Sequence, residues 1–258
     1  MASSDLAGVG VLVTRPRRQS AELIAAITAH GGTVIAWPVL EITPREAAAI
    51  QADEQRLGVP DIAILVSPNA VHHGLAFTAA AKIAVVGPAT ARAVEAAARS
   101  VDILSPGGFD SEHLLAEPAL QDVAGKIIRI IRGDGGRELI ATTLRERGAT
   151  VEYLAVYTRS APSYSASELA RLEQQWRSGA VNVVIAMSVE SLRNLVNLLP
   201  DWCKGALANT PLVTPATRVI QEALNQFPGI PATLAKGPRA SDMVDALVSS
   251  SRTTPGQH

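Results

Sequence analysis

Val11-Leu-Val-Thr-Arg-Pro16, followed by Glu22-Leu-Ile-Ala25, comes back 116 residues later as Ile127-Ile-Arg-Ile-Ile-Arg-Gly133 followed by Glu138-Leu-Ile-Ala141. The echo continues in order. Gly31-Gly-Thr-Val34 answers Gly148-Ala-Thr-Val151, and Ser67 at the end of Asp61-Ile-Ala-Ile-Leu-Val answers Ser188 at the end of Val181-Asn-Val-Val-Ile-Ala-Met. Pro88-Ala-Thr90 answers Pro215-Ala-Thr217, and Ser111-Glu-His-Leu-Leu115 answers Ser241-Asp-Met-Val244. A self-similarity this long exceeds a solenoid repeat and fits a duplicated domain, so it predicts two similar lobes with a cleft between them.

Each copy alternates short β-branched runs with alanine-rich helical stretches: strands at 9–14, 33–37, 62–66 and 83–86, helices at 20–30, 70–81 and 89–98. Continuous apolar strands of this length, separated by amphipathic helices, describe parallel sheets covered on both faces, hence doubly wound α/β lobes. Pro38-Val-Leu-Glu-Ile-Thr-Pro44 and Tyr153-Leu-Ala-Val-Tyr-Thr-Arg-Ser160 break the alternation at equivalent places in the two copies. Paired as antiparallel strands, they would make a two-stranded hinge. The residues beyond Ser249 read as a frayed tail.

Of the 258 residues, 47% are hydrophobic and 18% charged, with a net charge of −1, so nothing global draws the chain to nucleic acid or a membrane surface. No apolar run approaches the roughly 18 residues of a membrane span. Met1-Ala-Ser-Ser-Asp5 lacks the basic start and apolar core of a secretory signal, and the expected location is cytoplasmic. Cys203, the single cysteine, reads as a buried thiol. The five histidines include no i, i+4 pair, so no metal site is expected.

In an open parallel sheet the turns after the strand C-termini line the binding crevice. Here they share a chemistry: Thr14-Arg-Pro-Arg-Arg18, Ser67-Pro-Asn69, Gly87-Pro-Ala-Thr90, Arg132-Gly-Asp-Gly-Gly-Arg137, Ser188 and Thr214-Pro-Ala-Thr217 offer hydroxyls, guanidinium groups or free N–H groups at helix starts. Such groups bind anions, and so many around one crevice predict a ligand with several carboxylates or phosphates. The plainer readings stand beside this one: Ser67, Thr90, Ser188 and Thr217 as helix N-caps, Arg15 as part of a solvated turn, and Tyr157 as a half-buried strand tyrosine. The glycines at 133–136 fit neither a dinucleotide fingerprint nor a P-loop, and no nucleophile–base–acid grouping can be placed.

The order and spacing of Val11–Pro16, Ser67-Pro-Asn-Ala-Val71, Val86-Gly-Pro-Ala-Thr-Ala-Arg92, Arg132–Leu139 and Val156-Tyr-Thr-Arg159 resemble uroporphyrinogen-III synthases over nearly the whole chain. The resemblance implies two flavodoxin-like lobes joined by a two-stranded antiparallel linker: 1–37 with 161–258, the hinge at 38–44 and 153–160, and 45–152. It implies a hydro-lyase of haem biosynthesis that closes linear hydroxymethylbilane into uroporphyrinogen III, losing the ring A hydroxyl as water and inverting ring D, with no metal or organic cofactor. The substrate's eight carboxylates would account for the anion-suited turns. Tyr157 matches the family tyrosine that assists the departing hydroxyl, although a phenol of pKa ~10 is a weak acid for this work. Arg15, Ser67, Gly87, Thr90, Arg137, Ser188 and Thr217 match substrate-binding positions. The chain is expected to be a monomer that meets the upstream hydroxymethylbilane synthase briefly. Thr214 replaces a family glycine, which limits close backbone approach, and Met187-Ser-Val189 replaces Thr-Ser-Pro. Two other readings compete: a non-catalytic ligand-binding or regulatory domain of the same fold, and a hinged solute-binding protein, which should carry an export signal.

Overall fold

The computed structural model describes residues 5–108, 110–135 and 138–253. In chain order these form β1 (Gly10–Val13), α1 (Ala21–Ala29), β2 (Thr33–Ala36), β3 (Glu41–Pro44) and α2 (Ala47–Glu54). Next come β4 (Ile62–Leu65), α3 (Pro68–Gly74), β5 (Lys82–Val85), α4 (Pro88–Ala96), α5 (Ser111–Ala116) and β6 (Ile127–Gly133). After α6 (Leu139–Glu146) and the long β7 (Thr150–Ser160) follow α7 (Ala166–Arg177), β8 (Val183–Ile185), α8 (Val189–Leu198) and α9 (Asp201–Leu207). The chain closes with β9 (Leu212–Thr214), α10 (Thr217–Gln226), β10 (Ala232–Leu234) and α11 (Ala240–Thr253).

Contacts divide the chain into two compact units, one made of the residues up to Glu41 and from Ser160 onward, the other of Ile42–Arg159. Each holds one five-stranded sheet, ordered β10-β9-β8-β1-β2 in the first and β3-β7-β6-β4-β5 in the second. The units are therefore not the two sequence copies. Each takes the first two strands of one copy and the later strands of the other, so β2-β1-β8-β9 and β7-β6-β4-β5 repeat one order. Neighbouring strands within both runs pair in parallel.

Side-chain alternation builds both cores. In β1, Val11 and Val13 enter the cluster with Leu23, Ile27 and Leu247, while Leu12 points through the sheet to Leu172, Leu195 and Val219. In β4, Ala63 and Leu65 face Val71 and Val94, whereas Ile62 and Ile64 face Leu114 and Leu144. Each fully buried Val, Leu or Ile side chain among these contributes about 1.5–3 kcal/mol. β1 is locked to β8 through Gly10, whose N–H donates to Asn182 Oδ1 at 2.6 Å and whose carbonyl accepts from Asn182 N–H at 2.8 Å. A Cβ on Gly10 would lie 1.7 Å from the Ala180 carbonyl oxygen, so only glycine fits.

At the other end of the second sheet Arg129, fully buried on β6, donates to Phe77 O at 3.1 Å, to the Gly58 carbonyl at 2.5 Å and to Glu54 Oε1 at 3.2 Å. Glu152 lies 3.8 Å from the same guanidinium and accepts the Gly58 N–H at 3.0 Å. One side chain thus ties α2, the 55–58 loop, the turn after α3 and β7 to the strand.

Two local expectations change. The helix foreseen over 70–81 starts at Pro68, because Ser67 caps it and Pro68 suits its first turn, and it ends at Gly74, giving way to a 3₁₀ turn over Leu75–Thr78. Beyond Ser249 the chain stays helical, since α11 runs on to Thr253; the rest of the expected tail, 254–258, lies outside the described residues. Among the described residues no helix is long and apolar enough to cross a membrane, and no three His, Cys, Asp or Glu side chains gather as a metal site requires. Cys203 is buried, and burial pushes its thiol up to about 11.

Candidate active site

In the second unit the turn after β4 and the strand β7 bring two expected residues together. Ser67 has extended backbone at the N-cap of α3, its Oγ accepting the Ala70 N–H at 3.1 Å. The same Oγ lies 3.1 Å from the Tyr157 hydroxyl, either group being able to donate. One hydroxyl thus serves both the helix cap and the hydrogen bond to Tyr157.

Tyr157 reaches Ser67 because β7 is bulged. Arg132 pairs with Ala155 but Gly133 pairs with Tyr157, leaving Val156 as an extra residue. Simple alternation would turn Tyr157 to the face of Tyr153; with the bulge, Val156 and Tyr157 both pack in the cluster of Leu65, Val71 and Leu154. The ring is 5% exposed and lies against Gly133, where a Cβ would meet its Cε2 at 2.4 Å.

Tyr157 and Ser67 belong to the wall of a cavity of about 250 Å³ at the C-terminal ends of β4 and β6. Ser111, Arg132 and Arg159 add polar groups, and Val66, Val86, Ile130 and Ile140 supply apolar wall. The Arg132 guanidinium lies 4.0 Å from the Tyr153 ring centre and 3.0 Å from Glu138 Oε1. Tyr153 also donates its hydroxyl to Glu138. That hydrogen bond, with the Arg132 contact next, holds the Glu138 carboxyl below its usual range, while burial and then Glu138 push the Tyr153 phenol up. The Arg159 backbone N–H donates to Asp134 Oδ1 at 2.9 Å, tying the end of β7 to the turn after β6. Arg132, Arg159 and Ser111 were not picked out as site residues from sequence, although both arginines lie inside quoted motifs.

Gly87 caps α4, its carbonyl accepting the Thr90 N–H at 3.0 Å, and Thr90 is buried in the first turn of that helix. Thr90 is thus not an N-cap, and neither is Thr217, the exposed first residue of α10 after Ala216. Arg137 lies outside the described residues.

Arg15, Ser188 and Thr217 belong to the first unit, following the neighbouring strands β1, β8 and β9. Ser188 caps α8, accepting the Ser191 N–H at 3.1 Å and pairing with the Ser191 hydroxyl at 2.8 Å. Arg15 is half-buried, its Nε is buried without a hydrogen-bond partner, and desolvation lowers its pKa against the opposing pull of Glu22. The departures at the second-copy turns have local reasons. Thr214 is fully buried and its Oγ1 accepts the Ala216 N–H at 3.3 Å, while Met187 and Val189 pack against opposite cores of the first sheet.

Residues 21–245 match the family model described as uroporphyrinogen-III synthase HemD. The chain belongs to the uroporphyrinogen-III synthase family. It is 32% identical over 203 residues to the uroporphyrinogen-III synthase of Escherichia coli, covering 75% of this chain and 81% of that one. With the Synechococcus elongatus enzyme of the same name it shares 32% over 220 residues, 78% of this chain and 81% of the other. Among solved structures it is similar in fold to a mutant uroporphyrinogen III synthase from the extremely thermophilic bacterium Thermus thermophilus, with TM-score 0.64, 19% identity and coverage of 95% and 100%. The Helicobacter pylori uroporphyrinogen-III synthetase gives TM-score 0.63 at 14% identity, covering 93% and 99%.

Proposed function

We propose that this family member is a working hydro-lyase that closes hydroxymethylbilane into uroporphyrinogen III with loss of water and inversion of ring D. The observation that carries the site assignment is the Tyr157 hydroxyl held by Ser67 in the wall of a cavity. In this reading Tyr157 gives its proton to the ring A hydroxyl as the carbon–oxygen bond breaks, and water leaves. Ser67, hydrogen-bonded to the phenol, orients it. Holding the bilane curled, so that ring D presents the right carbon, supplies most of the selectivity.

The strand-end groups bind substrate carboxylates: Gly87, Thr90 and Arg137 alongside Ser67 from the second unit, and Arg15, Ser188 and Thr217 from the first. The orphaned Arg15 Nε, a donor in want of an acceptor, supports its inclusion. We read each unit as a flavodoxin-like lobe, a reading supported by the shared 2-1-3-4 strand order. The lobes are 1–37 with 161–258 and 45–152; the crossings are 38–44 and 153–160, and β3 beside β7 in one sheet supports a ladder there. A cytoplasmic monomer that takes its unstable substrate from hydroxymethylbilane synthase completes the proposal; the net charge of −1 supports a free protein over one held on an anionic surface.

The test is isomer analysis. Purified protein is given fresh hydroxymethylbilane without added metal or nucleotide, and the products are oxidised and separated. Type III uroporphyrin is expected; type I alone, the product of uncatalysed closure, refutes the enzyme reading and leaves the non-catalytic binding domain in its place.

A further inference from the structure

The cavity beside Tyr157 carries two guanidinium groups that the proposed chemistry has not used. Arg132 precedes Gly133, the residue on which the Tyr157 ring rests, and Arg159 follows Tyr157 by two positions on the same strand, so by strand periodicity it shares the tyrosine's side of β7. Both line the cavity with the phenol.

Arg132 is built like a recognition group rather than a solvated one. Its side chain is 14% exposed, stacked on Tyr153 and held by Glu138, so its fork is oriented before any ligand arrives. Glu138 accepts from its Nη2 at 3.0 Å. Glu138 is shared between Arg132 and the Tyr153 hydroxyl, and Asp134 accepts the Arg159 backbone N–H. A volume of about 250 Å³ falls just under the roughly 300–1,000 Å³ of whole-ligand sites, which suits one ring and its arms rather than a tetrapyrrole. The apolar residues Val66, Val86, Ile130 and Ile140 suit the flat ring.

The geometry points to Arg132 and Arg159 as a carboxylate clamp that grips the acid arms of the one pyrrole ring presented to Tyr157. The clamp deepens the synthase reading and rests on it. It selects rings by their carboxylates and sets the hydroxymethyl group against the phenol, with Tyr153 and Glu138 positioning Arg132.

The experiment measures steady-state kinetics and isomer ratio for wild type, Arg132→Gln, Arg159→Gln and the charge-preserving Arg132→Lys and Arg159→Lys. Loss of a charged hydrogen-bonding partner should raise KM by about 10- to 100-fold in each glutamine variant, more than kcat falls. The lysine variants should lie between, since charge is kept and the bidentate fork is lost. Alongside, wild-type protein is titrated with uroporphyrin III and with its octamethyl ester, following porphyrin fluorescence; the free acid should bind at least tenfold tighter, and the glutamine variants should narrow that ratio. KM within about twofold of wild type in both glutamine variants, or equal binding of acid and ester by wild type, overturns the clamp even if wild type makes the type III isomer. A wild-type enzyme giving only type I overturns the clamp together with the reading beneath it.

Discussion

Replacing Gly133 by alanine should cripple this enzyme without touching any group that donates or accepts a proton. The glycine's φ lies outside the left-handed region, so its backbone accepts alanine without strain. The obstacle is the Tyr157 ring, with Cε2, Cζ and Cδ2 at 2.4, 2.8 and 2.9 Å from the new Cβ. Ordinary contact begins near 3.4 Å, so the ring must retreat by about 1 Å. The hydrogen bond to Ser67, already 3.1 Å long, would not survive that shift. Overpacking of this kind costs about 1–3 kcal/mol, or roughly 2–12 °C in Tm for a chain of this size. A misplacement of about 1 Å at a reacting group costs about 10²-fold in rate.

The assay is turnover of hydroxymethylbilane together with thermal unfolding, in Gly133→Ala and in the same substitution on a Tyr157→Ala background. Without the ring the three nearest obstacles are gone, and the substitution's effect on stability should vanish or turn favourable by about 0.4–1 kcal/mol, the ordinary gain of alanine over glycine where the backbone permits it. An equal loss of Tm in both backgrounds, or wild-type turnover in the single variant, would refute the reasoning.

Tyr157→Phe keeps the packed ring and removes one hydroxyl, so Tm should move little while turnover falls within or somewhat below the ~10²–10⁴-fold span of one positioned acid, with product still mainly type III; unchanged turnover when chemistry is rate-limiting removes the tyrosine from the mechanism. Arg129→Met should cost about 3–5 kcal/mol in urea unfolding because it strands Glu152, whose Oε2 is buried without a hydrogen-bond partner. Adding Glu152→Gln should recover part of that loss, and strict additivity of the two changes would count against the pairing.

The sheet strands and the caps Ser67 and Ser188 were legible because each rests on a local rule: four apolar residues in a row, or a hydroxyl one residue before a helix. The strand order was not, since the residues that seat β1 beside β8 and β6 between β4 and β7 are distant in the chain. Nor was the site's geometry. Tyr157 stands out by its motif, but alternation along β7 puts it on the face opposite to the one it occupies, and a bulge at Val156 carries no sequence signature. Arg132, met only as the first residue of an anion-suited turn, and Arg159 were not singled out for the same reason, because their place in a cavity depends on where that bulge sets the end of β7. Thr217, taken for an N-cap, sits one residue too late because α10 starts after Ala216, whereas α4 starts at Pro88 directly after Gly87.

The exchange of strands between the copies also dictates an order of assembly during synthesis. Ile42–Arg159 emerges as one uninterrupted stretch and contains every strand of its own sheet apart from the first residue of β3 and the last of β7. The first unit cannot close so early: Gly10 waits for Asn182, 172 residues further on. At about 5–20 residues per second the ribosome takes roughly 9–34 s to cover that distance. Throughout that interval β1, buried along its whole length in the finished protein, offers an unpaired edge to any neighbouring chain. Substitutions that weaken β8 or Asn182 should therefore show themselves as poor yield and co-aggregation of nascent chains rather than as a lower melting temperature, and coexpressed chaperones should rescue them where a stabilising ligand does not.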